Sequence, residues 1–338
     1  MSNKWHQFNL PDTIRIQSTP GKGRECIATQ TIPANTTLLT VLPYVTGIFD
    51  NNKKRLCAVC VCTHPTKCFS LHCASCDQVY FCSAACRDAY TQDHRDSGCC
   101  DILRKLASLK KVDRHCKSVA KLVVMIYWQR RTRPDPLVDA LESHYDHWPA
   151  DVKLDWHRVR QFLWQQFRAA DWLRPDETDT DIMHLASKIE SNSFGLYLER
   201  RADVVAGRAL YLPASMFNHD CDNNCEVEQW TEEDLEDEQV SIPSHDLGHP
   251  TDPPQPMATM YPSVFTQPRG KNRQMFIKTT RDVQANEPLT ISYIDTQLPV
   301  ATRRQLLAQD YYFACTCLRC AMESATLAKS KKQKSKKK

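Results

Sequence analysis

Apolar positions along this chain change period from region to region. Between residues 13 and 46, short β-rich runs (Thr13 to Gln17, Thr37 to Thr46) alternate with Gly and Pro, the pattern of twisted antiparallel strands. From Asp101 to about Glu190 the period lengthens to that of a helix. Trp156, Val159, Phe162, Leu163, Phe167 and Ala170 recur at helical spacing. Ile182, Leu185, Ala186 and Ile189 form a second stripe, with Thr180 or Asp179 as its N-cap. The stretch Leu122 to Trp128 is apolar on every side and predicts a buried helix segment. Strand-like runs return at Arg208 to Leu212, Cys225 to Trp230, Gln274 to Thr280 and Pro288 to Tyr293, and a short helix is expected over Thr302 to Gln309. Thr231 to Gln267 is acidic and then Pro-rich, which predicts an exposed, disordered insertion between two strands.

Composition narrows the class. The 338 residues suffice for one large domain with an insertion or for two domains. With 41% hydrophobic residues and a mean hydropathy of −0.52, a soluble globular protein is expected. No apolar run approaches the ~20 residues needed to span a bilayer, so no membrane partner is expected. The first residues, MSNKWHQF, lack the pattern of a secretory signal, and a location in the nucleus and/or cytoplasm is anticipated. The formal charge of +4 conceals an asymmetry. Residues Lys329 to Lys338 hold seven lysines and no acid, so the remainder sums to −3. The basic segment 322–338 reads as a solvated, disordered tail, or as a nuclear-localisation or nucleic-acid-adhesive segment. Without a basic stripe interleaved with aromatics, specific nucleic-acid recognition is not expected.

Cysteine changes the picture most. Ten of the seventeen cysteines fall between residues 57 and 100. In an intracellular chain such thiols stay reduced, so dense cysteine reads first as metal binding. The spacing is Cys57-x2-Cys60, Cys73-x2-Cys76, Cys82-x3-Cys86, then His94 and Cys99. Zinc takes four ligands at roughly 2.0–2.3 Å, and doublets two or three residues apart let one turn supply two of them. Eight ligands make two closed, structural zinc sites, and the metal replaces the core so short a segment lacks. Cys62 and Cys68 fall outside the pattern.

The order C-x2-C, C-x2-C, C-x3-C, H, C resembles the MYND finger, including Tyr80-Phe81 before Cys82 and the seven residues between Cys86 and His94. The resemblance implies interleaved sites, with Cys57, Cys60, Cys82 and Cys86 on one ion and Cys73, Cys76, His94 and Cys99 on the other. Four residues separate His94 from Cys99 where that finger usually has three, so Cys99 or Cys100 closes the second site; Cys99 is preferred. MYND fingers are usually protein-docking modules, which implies a possible docking partner, though one set inside an enzyme can be scaffold alone.

Outside the finger lie Gly21-Lys22-Gly23-Arg24, Asn192-Ser193-Phe194, Asn218-His219-Asp220-Cys221, and Ile291-Ser292-Tyr293. Each is weak singly. In this order around a MYND finger they resemble the SET and MYND domain family of lysine methyltransferases, from about Arg15 to Cys320. The implied fold is α+β: a SET-domain β-fold with a pseudoknot, an inserted MYND zinc finger, a helical insert and a cysteine-rich post-SET zinc clip. The implied divisions are 10–50 and 191–295 for the SET core (231–267 being the acidic, Pro-rich insertion), 57–100 for the finger, 101–190 for the helical insert and 296–321 for the post-SET segment.

By the same resemblance, S-adenosylmethionine is held by Gly21, Lys22, Gly23, Asn192, Asn218, His219, Tyr293 and Phe313. Tyr145 is a further candidate contact. Tyr293 is the first choice for a catalytic role, and Tyr311 matches a second channel tyrosine. Cys315, Cys317 and Cys320 leave one position of a third zinc site empty, which the family fills from the Asn-His-x-Cys motif, here Cys221. The expected activity is S-adenosylmethionine-dependent N-methylation of histone or non-histone lysines by a monomer with three structural zinc ions. Two departures, Asp220 where the family has Ser and Asn223 where it has Pro, motivate a rival reading as a catalytically weak adaptor acting through its finger.

Overall fold

The computed structural model describes residues 10–64, 67–132, 136–198, 201–230 and 273–335. In chain order the strands and helices are β1 (Ile14–Thr19), β2 (Gly23–Ala28), β3 (Thr37–Val41), β4 (Val45–Ile48), β5 (Leu71–His72), β6 (Tyr80–Phe81), α1 (Ala84–Asp96), α2 (Cys99–Ser108), α3 (Arg114–Arg130), α4 (Pro136–Asp139), α5 (Ala150–Ala169) and α6 (Asp179–Asn192). They continue with β7 (Ser193–Leu198), β8 (Arg201–Leu210), β9 (Asn218–His219), β10 (Cys225–Trp230), β11 (Gln274–Thr279), β12 (Pro288–Ile291), α7 (Val300–Asp310) and α8 (Leu318–Ser335). One unit comprises Met1–Leu39, Pro213–Val227 and Ile277–Lys338; the other comprises Thr40–Leu212 and Glu228–Phe276. A three-stranded sheet has the order β10-β11-β3.

The first unit is built on a sheet of order β1-β2-β12-β9. β1 and β2 form a hairpin, Ile14 opposite Ala28 through Thr19 opposite Gly23. Its turn carries Gly21 at φ 77° and Gly23 at φ 69°, left-handed values that a side chain disfavours. β12 runs antiparallel to β2 and parallel to the two-residue β9, with Thr290 opposite Asn218 and Ile291 opposite His219. Asn224 secures this crossing. Its carboxamide donates to the Pro288 carbonyl at 2.8 Å and accepts from the Thr290 amide at 2.9 Å.

The second unit is organised by α3. A wholly apolar stretch cannot leave a face in water, and Leu122, Val123, Val124 and Ile126 are fully buried. Helices α2, α5 and α6 and the sheet β4-β8-β7 pack around it. Packing is close both within the sheet, where a Cβ on Gly207 would stand 2.6 Å from the Gly47 carbonyl oxygen, and against α3, where one on Gly47 would stand 2.8 Å from Leu122 Cγ. Lys121 is buried among these apolar neighbours and reaches Asp50 and the Ile48 carbonyl, so its charge is met.

Several expectations need correction. The run Thr37 to Thr46 is two strands, because Leu42, Pro43 and Tyr44 separate β3 from β4 and proline has no amide for a ladder. The cap of α6 is Thr178, in a reciprocal capping box with Asp181, rather than Thr180 or Asp179. The tail expected to be disordered from residue 322 instead continues α8 to Ser335. It has no Gly or Pro, and it is anchored at its start by an Arg319–Glu323 pair one helical turn apart. The expected insertion 231–267 lies outside the described residues.

Candidate active site and zinc centres

Three groups of metal-binding side chains converge, each with its ligand atoms within 4.8 Å of one another: Cys57, Cys60, Cys82 and Cys86; Cys73, Cys76, His94 and Cys100; and Cys221, Cys315, Cys317 and Cys320. Sulfurs placed ~2.3 Å from a central ion at tetrahedral angles lie ~3.8 Å apart. The sulfurs lie 3.6 Å apart for Cys60–Cys82, Cys82–Cys86 and Cys73–Cys100, and 3.5 and 3.9 Å apart from Cys221 to Cys320 and Cys315. Disulfides would require ~2.05 Å. Thiol and imidazole donors at this spacing fit zinc, and four ligands per site leave no open coordination position.

Local structure explains each set in the finger. Both C-x2-C doublets turn through a left-handed residue after the second cysteine, Val61 at φ 63° and Asp77 at φ 52°. Their amides donate back to the carbonyls of Cys57 (3.0 Å) and Cys73 (2.8 Å). Ser83 caps α1 by accepting from the Cys86 amide at 3.2 Å, which fixes Cys82 and Cys86 on either side of the cap. His94 occupies the last turn of α1. The last ligand of the second site is Cys100, not Cys99. Both begin α2 and are buried, but neighbouring helical positions project roughly 100° apart, so only one can face Cys73. Cys62, outside the expected pattern, is tied to the doublet through its backbone, its carbonyl accepting from the Cys57 amide at 3.0 Å. The finger is not a free bead: Tyr90 on α1 packs its ring on Trp128 of α3 and on Phe81.

The clip has further support that the cysteine pattern does not contain. A divalent ion with four thiolates is net negative, and two arginines stand against it. Arg303, 1% exposed, donates to Cys320 Sγ at 3.5 Å, Glu323 Oε2 at 2.8 Å and the Leu298 carbonyl at 2.6 Å. Arg319 donates to the Cys221 carbonyl at 2.9 Å and the Thr296 carbonyl at 2.8 Å. Such outer partners orient metal ligands and tune them. Their only trace in the sequence is a basic residue in each flanking helix, too common a pattern to identify them.

Beside the clip the structure gathers most of the residues expected to hold the cofactor. Asn218 donates from its carboxamide to the carbonyls of Lys22 (3.3 Å) and Arg24 (2.6 Å), tying the glycine turn to β9. A Cβ placed on Gly21 or Gly23 would meet nothing within 4 Å, so the turn presents bare backbone to open space. Lys22 pairs at 3.3 Å with the carboxylate of Glu25, a buried residue. This is the form of backbone approach a bound nucleoside needs. Tyr293 is held at three points: its amide donates to His219 Nδ1 at 3.1 Å, its hydroxyl to the Phe217 carbonyl at 2.8 Å, and its carbonyl accepts from Tyr311 at 3.4 Å. The rings of Tyr293 and Tyr311 lie 4.8 Å apart, and Phe313 lies 6.1 Å from His219.

Burial raises the Tyr293 phenol above its ordinary value, with Tyr311 adding to the effect. The group is therefore a neutral hydrogen-bonding residue rather than a base. Burial also pushes His219 down to about 4. Because Nδ1 accepts from Tyr293, the proton of this neutral ring sits on Nε2, 3.3 Å from Cys221 Sγ. Both ring nitrogens are thus engaged within the chain, so a cofactor contact by His219 falls to its backbone.

Asn192 belongs to the other unit, where it ends α6. Its carboxamide donates to the carbonyls of Lys188 at 2.8 Å and Glu142 at 3.2 Å. Tyr145 lies in the same unit, packed on Trp148 and His184. The off-pattern residues have local duties. Asp220 accepts the Asp222 amide at 2.8 Å, and Asn223 donates to the Cys225 carbonyl at 2.8 Å, both turn-forming bonds beside the clip. Cys225 is buried and contacts Asn224 Oδ1 at 3.5 Å.

Comparison with known proteins follows this geometry. The SET domain family model matches residues 23–294. The mouse protein "Histone-lysine N-methyltransferase SMYD3" is 23% identical over 256 residues, covering 74% of this chain and 48% of that protein. The fission yeast (Schizosaccharomyces pombe) "SET domain and MYND-type zinc finger protein 6" is 21% identical over 309 residues, covering 91% and 52%. Arabidopsis thaliana "Histone-lysine N-methyltransferase ASHR1" is 22% identical over 322 residues, covering 91% and 55%. A solved structure, "Crystal structure of the SET domain of LSMT bound to Lysine and AdoHcy", aligns at TM-score 0.42 and 12% identity over 92% of this chain and 56% of that one. The chain spans about half the length of the curated relatives it matches. With the family match covering most of its length, the chain belongs to the SET-domain family, and the relatives it matches include animal, fungal and plant proteins.

Proposed function

We propose that this protein is an S-adenosylmethionine-dependent protein-lysine N-methyltransferase. The observation that carries the reading is the fixation of Tyr293 between the Phe217 carbonyl, His219 and Tyr311, in the unit that also holds the open glycine turn. Bound at Gly21 to Gly23 and the backbone of Asn218 and His219, S-adenosylmethionine would supply an electrophilic methyl group on a sulfonium. The chain's own work is positioning, water exclusion and selection of a neutral amine. The Tyr293 hydroxyl donates its hydrogen to the Phe217 carbonyl, which leaves its oxygen as an acceptor able to orient an amine N–H. Backbone carbonyls aligned by the same bonds can accept weak C–H···O contacts. A lysine amine brought into a dry site beside a cation loses its proton more easily, so no general base among these residues is required. The clip zinc, held by Cys221, Cys315, Cys317 and Cys320, would be structural.

Substrate identity is left broad: a lysine of a histone or of another protein, with the enzyme acting as a monomer in nucleus or cytoplasm. The finger serves first as scaffold, since Tyr90 and Phe81 are spent on packing. Docking of a protein partner on its remaining surface is compatible with this. The adaptor reading loses its motive, because Asp220 and Asn223 form turns and take no place among the residues assigned to the cofactor.

The test is calorimetry with S-adenosylhomocysteine on zinc-loaded protein, followed by radiolabelled methyl transfer to histones and to a cell lysate. Binding together with labelled protein is expected. Absence of binding by folded, zinc-loaded protein would sink the proposal.

A further inference from the structure

Glu323, on the second turn of α8, is not a ligand of the clip, but both arginines beside the clip converge on it. Its Oε2 accepts from Arg303 at 2.8 Å and its Oε1 from Arg319 Nε at 2.9 Å. The other arms of the two guanidiniums divide in parallel. Arg303 reaches Cys320 Sγ at 3.5 Å and the Leu298 carbonyl at 2.6 Å. Arg319 reaches the Cys221 carbonyl at 2.9 Å and the Thr296 carbonyl at 2.8 Å. Each arginine therefore touches one zinc ligand and one carbonyl of the segment that follows Tyr293, and a single carboxylate joins the pair. Arg304, next in α7, grips a third ligand through the Cys315 carbonyl at 3.2 Å.

This arrangement is demanding in geometry. A buried guanidinium such as that of Arg303 must be matched in both charge and hydrogen bonding. Its planar fork serves a sulfur, a carboxylate and a carbonyl at once, which the compact ammonium of a lysine cannot do.

We propose that Arg303 and Arg319, braced by Glu323, are positioning residues that hold the clip ligands in register for zinc and tie the clip to the segment leading from Tyr293. Two effects of Glu323 oppose one another. Its charge repels the net-negative zinc–thiolate centre, whereas its two oxygens fix the angle at which each guanidinium meets its ligand. The Glu323 side chain is 35% exposed, so water screens its charge and orientation governs. The inference concerns zinc retention and holds whether or not the chain transfers methyl groups.

The test follows zinc transfer from the full chain to a chromogenic chelator. Arg303→Lys and Glu323→Gln are each expected to release one equivalent about 10- to 100-fold faster than the parent, the usual loss of metal affinity when an outer partner is removed. The other equivalents should leave at the parental rate. Cys317→Ser, which removes a clip ligand, identifies the affected ion: in that background neither change should alter any remaining rate. An unchanged rate in either variant that folds, or an acceleration that persists in the Cys317→Ser background, overturns the proposal. Slower release from Glu323→Gln overturns it too, because charge rather than orientation would then govern. Glu323 is partly exposed, so its variant keeps the test decisive if Arg303→Lys does not fold. Amide exchange supplies a second measurement: Glu323→Gln should raise exchange across residues 294–298, and unchanged exchange there overturns the tie to Tyr293.

Discussion

Tyr293 and His219, 74 residues apart, are joined by a hydrogen bond from the tyrosine amide to imidazole Nδ1 at 3.1 Å. The same ring points Nε2 at Cys221 Sγ, 3.3 Å away. One side chain therefore links the residue proposed to orient the substrate to a ligand of the clip zinc. Removal of the imidazole should disturb Tyr293 without emptying the clip. We expect His219→Ala to lower kcat about 10- to 100-fold, the loss of roughly 1.4–2.8 kcal/mol of transition-state positioning, with zinc content unchanged. His219→Asn, which can restore an acceptor near the Nδ1 position, should recover at least part of that loss. Equal kcat for the two variants would show that the ring acts only by filling space.

A neutral Tyr293 predicts the alkaline limb of the pH profile. Its phenol lies above the ordinary value of 10.0 because burial disfavours the phenolate. It therefore keeps its proton through the range in which lysine substrates lose theirs. The rate should rise with pH as the amine deprotonates, and no descending limb should appear by pH 10 that Tyr293→Phe abolishes. Tyr293→Phe should itself lower kcat more than it raises KM, by about 10-fold or more.

Asn218 offers a test of how the glycine turn is held. Asn218→Ala removes two hydrogen bonds, to the Lys22 and Arg24 carbonyls. Neutral bonds contribute about 0.5–1.5 kcal/mol each to stability, so the melting temperature should fall by a few degrees, and the loosened turn should lower affinity for S-adenosylhomocysteine by about 10-fold or more. Unchanged affinity by calorimetry would separate the turn from the cofactor.

The closing ligand of the second finger site is decided by zinc counting. Cys100→Ser should lose one zinc and destabilise the segment between α1 and α3. Cys99→Ser should keep every zinc, because Cys99 does not face the set that Cys73, Cys76, His94 and Cys100 form. The reverse result would place the helix phase one residue out.

Gly207 tests the packing of the sheet beneath α3. A methyl group there would stand 2.6 Å from the backbone oxygen of Gly47 and 3.1 Å from Ile48 Cα, and neither is a flexible side-chain end. Gly207→Ala should cost about 2 kcal/mol or more in denaturant unfolding. Ala at a tolerant position would change stability by less than about 0.5 kcal/mol.

What could be read directly from this chain was local. Doublets of cysteine two and three residues apart announce zinc because one turn places both sulfurs, and the run Leu122 to Trp128 announces a buried helix because it has no polar face. Strand limits at Cys225–Trp230 and Gln274–Thr279 follow the alternation closely for the same reason. Relations over long separations had no such signal. That Cys221 meets Cys315 and Cys320 was legible only through the family resemblance, and that Asn218 holds the Lys22 carbonyl and Arg303 stands against the clip was not legible at all; these depend on β9 lying beside β12 and β12 beside β2. Residue type cannot encode which distant strand becomes a neighbour; packing settles it. The choice of Cys100 over Cys99 turned on helix phase. Composition identified a zinc protein, and motif order identified its family. Which atoms face one another in the site was settled by the crossing of those strands, where a buried polar group must find a partner or lose stability.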